Sequence, residues 1–578
     1  MKLGVNFLAL CALLSLSGSS LAAPSSATSG QVIKAPKIPS SWRHVGSARG
    51  STPFSFTLHL NSANLAGLAS RLDQNGAIAL SEAEVAAYAS PTNATLATVQ
   101  SYLKAQGIAD SAISYNNFKD QITVKSTVAQ ASKLFSASLA SYSNPDGTVL
   151  PRTTSYTIPA QISSSVSLVQ PLASFFQITT GPGKGNLTTA ATKRFELEER
   201  AATAPPDCVA NRVTPTCLRE LYGTNTYTPT GGANTDILVA GFIGQSFSQA
   251  DLTLYLQQFR PDAATYVMPV IEAKNAVNDP ANPGDEATLD VQTVVAQTYP
   301  LKSVYYNYGT ATDNGGDIFE AAFTDIINNY QAYGSPGVYS VSYGSDEAGF
   351  GATEAQVLCN SAMKLTAMGT TIVFSSGDNG VNGQGTNNGD SCPPFVPTYP
   401  SGCQYILSVG ATVNFAPEVA VTAATAGYYG GGGFSNVFAR PTFQNTAVSQ
   451  YKTVLGTKDA GDYSTTGRGY PDISAQGYAY LITENGNNYR ISGTSASCPT
   501  VASIFSLLND ARRAKGQKNL GWAHPFLYRT PTGLTDVTSG GSYGCADATL
   551  GFPAAKRWDP SSGLGTPYFP NLRTALGI

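Results

Sequence analysis

The chain has 578 residues, 42% of them hydrophobic and 12% charged, which is enough length and apolar content for two or three units with sizeable cores. A formal charge of −3 at pH 7 provides no electrostatic footprint for nucleic acid or an anionic membrane surface. With three histidines in all and no C-x-x-C pair, a structural zinc site is excluded.

Met1-Lys2 gives a short positive start, and Val5 to Leu16 is an apolar run. Small residues follow, ending Ser20-Leu21-Ala22, so residues 1–22 are expected to be a signal peptide cut after Ala22. The run is too short to span a bilayer, which takes ~20 apolar residues. The protein is therefore expected to be secreted, soluble and monomeric, with no nucleic-acid or membrane partner. Secretion makes disulfides the default state of its cysteines. Cys11 leaves with the signal peptide, and seven remain: Cys208, Cys217, Cys359, Cys392, Cys403, Cys498 and Cys545. An odd number leaves at least one unpaired. Cys498, at an expected helix start, is read as the free one, and Cys208 and Cys217, close in sequence, as a bridge. The pairing of the other four is open.

Three regions follow. Residues 23–178 mix strand-like Phe54 to Leu60 with helix-like Asn64-Leu65 to Leu72 and Val99 to Leu103, an α+β pattern. Residues 179–206 have no periodicity; they hold Gly181-Pro182-Gly183, the charged run Lys193 to Arg200 and the run Ala201 to Pro206, and read as a linker. Residues 207–578 alternate apolar strands (Asp236 to Phe242, Gly337 to Tyr343, Thr370 to Ser375, Tyr405 to Val409) with helical stretches. That order predicts an α/β domain on a doubly wound parallel sheet, with its site beyond the carboxyl ends of the strands. A signal peptide, a compact unit, a charged linker and a large α/β domain fit a zymogen; two unrelated domains on a tether would look the same.

Ser492 to Pro499 reads S-G-T-S-A-S-C-P and continues into Val501, Ile504, Phe505 and Leu508, the spacing of one apolar helix face. Ser495 therefore stands where a Gly-containing turn enters a buried helix, whose positive end favours developing negative charge. Serine is also a common N-cap, so the position alone does not make a nucleophile. A serine hydroxyl needs a base. His44 and His59 lie in the first region, His524 follows Ser495, and none stands in a His-Gly-Thr context.

Carboxylates are the alternative base. In Asp285 to Gln292 (D-E-A-T-L-D-V-Q), preceded by Pro283-Gly284, Glu286 and Asp290 are four apart on one helical face. Exposed, they are an ordinary acidic face; in a closed pocket they share a proton. Asp378, in S-S-G-D-N-G after the strand ending at Phe374, lies where sites form in parallel sheets. If protonated, it can donate to an oxyanion; read locally, it is a turn residue.

Together these segments resemble the sedolisin family of serine-carboxyl peptidases, which share a subtilisin-like fold and use Glu and Asp in place of His. The match runs through Glu286 to Asp290, Ser375 to Asp378 and Ser492 to Ser497. It extends to Ser340 to Gly344 (SVSYG), Gly430 to Ser435 (GGGGFS), Arg468 to Asp472 (RGYPD) and Trp558-Asp559-Pro560. Trp42, Phe54 to Leu60 and Leu80 to Val85 resemble the family's activation domain. The resemblance implies Ser495 as nucleophile, Glu286 as its base, Asp290 as partner of Glu286 and Asp378 as oxyanion stabiliser. It implies that the prodomain acts as intramolecular inhibitor and chaperone, and that residues 340–344 and 430–435 pair with substrate.

It also implies one structural Ca²⁺, held by the carboxylates of Asp536 and Asp559 and the carbonyls of Val537, Ala555 and Arg557, an all-oxygen set. Ala555 and Arg557 stand where the family usually has Gly. The Cys208 to Tyr222 stretch looks like that of secreted fungal tripeptidyl-peptidases, so tripeptides released from free N-termini of peptides or proteins are the expected product. An aorsin-like acid endopeptidase is the alternative within the family. A binding protein on a peptidase fold would have lost one of the four polar positions, and a His-dependent hydrolase would need His524. Asn93 and Asn186 head glycosylation sequons ahead of the mature domain, and Lys193-Arg194 is a dibasic site for processing.

Overall fold

The computed structural model describes residues 30–75, 79–144, 147–175, 178, 205–232, 234–309, 316–384, 392–545 and 547–578. The signal-peptide reading, Asn186, Lys193-Arg194 and most of the linker lie outside the described residues.

The first unit is α+β. Its strands β1 (Pro53–Leu60), β2 (Ile113–Tyr115), β3 (Gln121–Thr127) and β4 (Val166–Gln170) form an antiparallel sheet in the order β2-β3-β1-β4. Alternation in β1 buries Phe54, Phe56 and Leu58, the period-two signature of a half-buried strand. Of the unit's helices, α1 (Leu65–Asn75), α2 (Glu82–Ala89), α3 (Asn93–Ala105) and α4 (Val128–Leu134), the last two pack Val99, Leu103, Val128 and Leu134 on this sheet.

The second unit is built on seven parallel strands. They are β5 (Ile237–Gly241), β6 (Val270–Ala273), β7 (Ser303–Tyr308), β8 (Val338–Val341), β9 (Thr371–Ser375), β10 (Ile406–Val413) and β12 (Ile473–Gln476). Their order is β6-β7-β5-β8-β9-β10-β12, with a short antiparallel β11 (Val419–Ala420) also on β10. Successive residues of β5 enter different cores: Ile237 and Val239 face the side covered by α5 (Asp285–Thr298) and α8 (Thr494–Ala514), Leu238 and Ala240 the side covered by α6 (Ile318–Asn328) and α7 (Ala352–Ala367). Helices on both faces of a parallel sheet make the doubly wound α/β architecture.

The two units share apolar surface. Leu68 and Leu72 of α1, with Leu80, Val85 and Phe118, belong to the same buried cluster as Phe319 of α6 and Leu358 of α7. Polar contacts surround it: Gln121 Nε2 donates to Glu320 Oε1 at 2.7 Å, Gln170 Nε2 to Glu354 Oε1 at 2.7 Å, and Ser174 Oγ to Glu354 Oε1 at 2.6 Å. Asp120 forms a buried ion pair with Lys364.

Cys208–Cys217 is bridged and Cys498 is free and buried, as expected; the four open cysteines pair as Cys359–Cys403 and Cys392–Cys545. Among the described residues no helix is long and apolar enough to cross a membrane.

Candidate active site

The helix α8 starts after Gly493, whose φ of +149° lies in a region that L side chains rarely adopt. Ser495 is its second residue, 3% exposed, and Val501, Ile504, Phe505 and Leu508 along the same helix are fully buried. Pro499, inside the helix, has no N–H to donate to the carbonyl four residues earlier, which belongs to Ser495.

The acidic pair stands on α5, one of the helices packed on α8 through the shared core. Glu286 is 4% exposed and Asp290 fully buried, so the solvated acidic face is not what forms. Ser495 Oγ donates to Glu286 Oε2 at 3.1 Å and approaches the Ser342 carbonyl at 3.4 Å. Burial first, and the neighbouring Glu286 second, push the Asp290 carboxyl well above its usual range, against a hydrogen bond from Ser342. Two carboxylates in one buried pocket cannot both ionise at low cost. The phenol of Tyr305, buried with Asp290 and Glu286 near it, is pushed up as well.

Asp378 lies in the loop after β9, 9% exposed. Its Oδ1 accepts from the Thr494 amide at 2.7 Å and the Thr494 hydroxyl at 3.0 Å, while the same hydroxyl accepts from the Gly377 amide at 3.1 Å. The residue before Ser495 thus clamps Asp378 beside it. Burial raises the Asp378 carboxyl to about 6, with the Thr494 bonds opposing. The Gly431 amide donates to the Gly377 carbonyl at 2.6 Å, which ties the glycine-rich loop to the same place.

His524 is engaged elsewhere. Its Nε2 lies 3.2 Å from Asp472 Oδ2 and 3.0 Å from the Ile406 carbonyl, and Arg468 pairs with Asp472 at 2.6 Å. Burial works to raise the Asp472 carboxyl, and Arg468 and His524 outweigh it, holding it at about 2. His59 is buried in the first unit, bonded to Gln170 at 2.9 Å.

The structure thus brings Ser495 against Glu286, Asp290 onto the same helix as Glu286, and Asp378 against the residue before Ser495. The pro-kumamolisin activation domain family matches residues 40–175 and the subtilase family residues 300–524. Tripeptidyl-peptidase sed4 of Aspergillus fumigatus is 32% identical over 601 residues, covering 96% of this chain and 97% of its own. The chain belongs to the sedolisin family. Tripeptidyl-peptidase SED2 of Arthroderma otae is 33% identical over 455 residues, 74% of each chain. Pseudomonas sedolisin, a serine-carboxyl proteinase complexed with two molecules of pseudo-iodotyrostatin, superposes with a TM-score of 0.50 at 22% identity, covering 64% of this chain and 99% of that one, a likeness of fold. This sedolisin is a serine-carboxyl peptidase carrying its activation prodomain.

The segments of the expected calcium site also meet. Asp559 is fully buried; its oxygens accept from the amides of Ala555, Ser561 and Ser562 at 2.8–2.9 Å. Ser562 Oγ bridges Asp559 and the Val537 carbonyl, and Asp536 Oδ2 accepts from the Arg557 amide at 2.8 Å. Arg557 takes φ +71°, the left-handed conformation that glycine adopts freely, so the chain keeps the turn without the glycine. Among the described residues no cluster of three or more His, Cys, Asp or Glu could hold a metal. Two carboxylates and backbone carbonyls are a donor set that fits Ca²⁺ and not a transition metal.

Proposed function

We propose that this sedolisin is a secreted, acid-active tripeptidyl-peptidase in which Ser495 attacks the scissile carbonyl with Glu286 as its base. The observation that carries the reading is the 3.1 Å bond from Ser495 Oγ to Glu286 Oε2, with Asp290 buried beside it. Glu286 takes the serine proton as the Oγ–C bond forms, and Asp290 holds the proton the pair shares. Protonated Asp378 donates to the tetrahedral oxyanion. When the C–N bond breaks, Glu286 returns the proton to the leaving amine. Water then attacks the acyl carbon, giving its proton to Glu286; the C–Oγ bond breaks, the acid product leaves, and Glu286 returns the proton to Ser495 Oγ.

Both a protonated Asp378 and a singly protonated pair require acid, so catalysis belongs below about pH 6, the value to which burial raises Asp378. The prodomain, packed on the α6–α7 side of the catalytic unit, holds the precursor inactive until it is released. One Ca²⁺ on Asp536, Asp559 and the carbonyls of Val537, Ala555 and Arg557 would tie the 535–537 and 555–559 segments and supply stability, not chemistry.

Tripeptide release is supported by the names of the relatives, tripeptidyl-peptidases that match up to 97% of this chain. Product sizing on one peptide with its N-terminus free and then blocked tests it. Tripeptides from the free peptide alone are expected; internal cleavage of the blocked peptide would make the protein an acid endopeptidase.

A further inference from the structure

Ser342 follows β8 and is 1% exposed. It meets the catalytic groups in three ways. Its hydroxyl donates to Asp290 Oδ1 at 2.9 Å. The same hydroxyl lies 3.2 Å from the Ser495 carbonyl, the one that Pro499 leaves without its helical donor. Its own carbonyl lies 3.4 Å from Ser495 Oγ. Asp290 Oδ2, by contrast, is buried and accepts no hydrogen bond from the described residues.

We infer that Ser342 is a positioning residue of the carboxylate pair: by donating to Asp290 Oδ1 it leaves Oδ2 to carry the proton shared with Glu286, and Glu286 Oε2, which accepts from Ser495 Oγ, receives the serine proton. The inference rests on the carboxylate mechanism proposed above. A hydroxyl carries one proton, so donation to Oδ1 excludes donation to the Ser495 carbonyl at the same moment. When a proton occupies Oδ1, the Ser342 hydroxyl accepts a hydrogen bond from it and turns its own proton to the Ser495 carbonyl. Ser342 therefore selects between two proton arrangements of the pair. Only the first leaves the shared proton between the two carboxyls. The groups facing Asp290 from other elements are Ser342 and Tyr343 after β8, Tyr305 on β7 and Cys498 on α8; the two phenols and the thiol are neutral in acid, and only the Ser342 hydroxyl donates to Asp290 among the described residues, so Ser342 is the donor that can bias it.

A hydrogen bond to the charged form favours that form. Removing it raises the pH at which the pair becomes fully protonated and Glu286 ceases to be a base. The test is the kcat and KM of mature Ser342→Ala, Ser342→Thr and Glu286→Gln enzymes from pH 2.5 to 7, with folding checked by thermal unfolding. For Ser342→Ala we expect kcat to fall about 10- to 100-fold, the range for losing a bond to a charged group, with KM within about twofold. Its acid limb should move up by about half a unit to one unit, and Ser342→Thr should restore both. An unmoved acid limb in folded Ser342→Ala overturns the inference whatever happens to kcat; this readout decides even if Ser342→Thr fails to fold. If Glu286→Gln is inactive while Ser342→Ala matches the parent, only the Ser342 role is lost. If Glu286→Gln is active, the carboxylate mechanism itself is wrong.

Discussion

Ser495 and Glu286 are 209 residues apart in the chain, and their side chains meet at 3.1 Å in a closed pocket. A serine at a helix start has no histidine beside it here; it has a glutamate whose helical neighbour, Asp290, has no exposure to water. Replacing Ser495 by Ala or Glu286 by Gln should lower kcat by about 10⁴-fold or more, the scale seen when one member of a triad is removed. Thermal unfolding should change little for Glu286→Gln, because the amide keeps the shape of the side chain and adds no charge to the buried pair. The check is kcat on a chromogenic peptide, with unfolding followed by circular dichroism.

Asp378→Ala should cost about 10²- to 10³-fold in kcat, the value of one oxyanion donor. Asp378→Asn keeps a donor at every pH. Because burial raises the Asp378 carboxyl to about 6, its donating form is present below that pH and lost as pH rises through it. The Asn variant should therefore lose the part of the neutral-side decline that Asp378 causes. Profiles of kcat from pH 4 to 8 for parent and variant decide this; identical profiles would remove Asp378 from the oxyanion role.

Prodomain inhibition should depend on Lys364. Its pair with Asp120 is buried on both sides, at 6% and 4% side-chain exposure, and breaking a buried pair by removing one partner costs about 3–5 kcal/mol. Lys364→Met should weaken inhibition of the mature enzyme by the separately added prodomain by at least about 100-fold. The mature enzyme, in which Lys364 faces solvent, should keep its kcat. Inhibition constants measured at pH 6 give the comparison.

Chelation should lower the unfolding temperature by a few degrees, as for any ion that binds only the folded state, and Asp559→Ala should abolish the response. Differential scanning calorimetry with and without added calcium gives both numbers; a parent enzyme indifferent to calcium would leave Asp559 a purely internal hydrogen-bonding residue.

Local features of the site were legible. The i, i+3, i+4, i+7 spacing after Ser495 predicts α8, and the four-residue separation of Glu286 and Asp290 puts them on one face of α5. Their burial was not, because an acidic pair on a helix face reads the same whether water or α8 covers it. Ser342 was found only within a family stretch, since nothing in S-V-S-Y-G says that its side chain reaches a residue 52 positions earlier. Strand β7, buried at all six residues, shows no alternation that would mark it as a strand. Leu68 and Leu72 read only as part of a helical stretch in the first region; in the fold they join the core of the catalytic unit. The pairing of Cys392 with Cys545, 153 residues apart, is likewise a property of the fold alone.

The most direct test is the pH dependence of kcat/KM for the mature enzyme and for Glu286→Gln, from pH 3 to 8 on one peptide. A carboxylate-driven serine predicts parent activity that is high near pH 4 and falls as pH rises through about 6, and a variant at least about 10⁴-fold lower throughout. A parent enzyme as active at pH 7 as at pH 4, or a Glu286→Gln enzyme that keeps its activity, would contradict it.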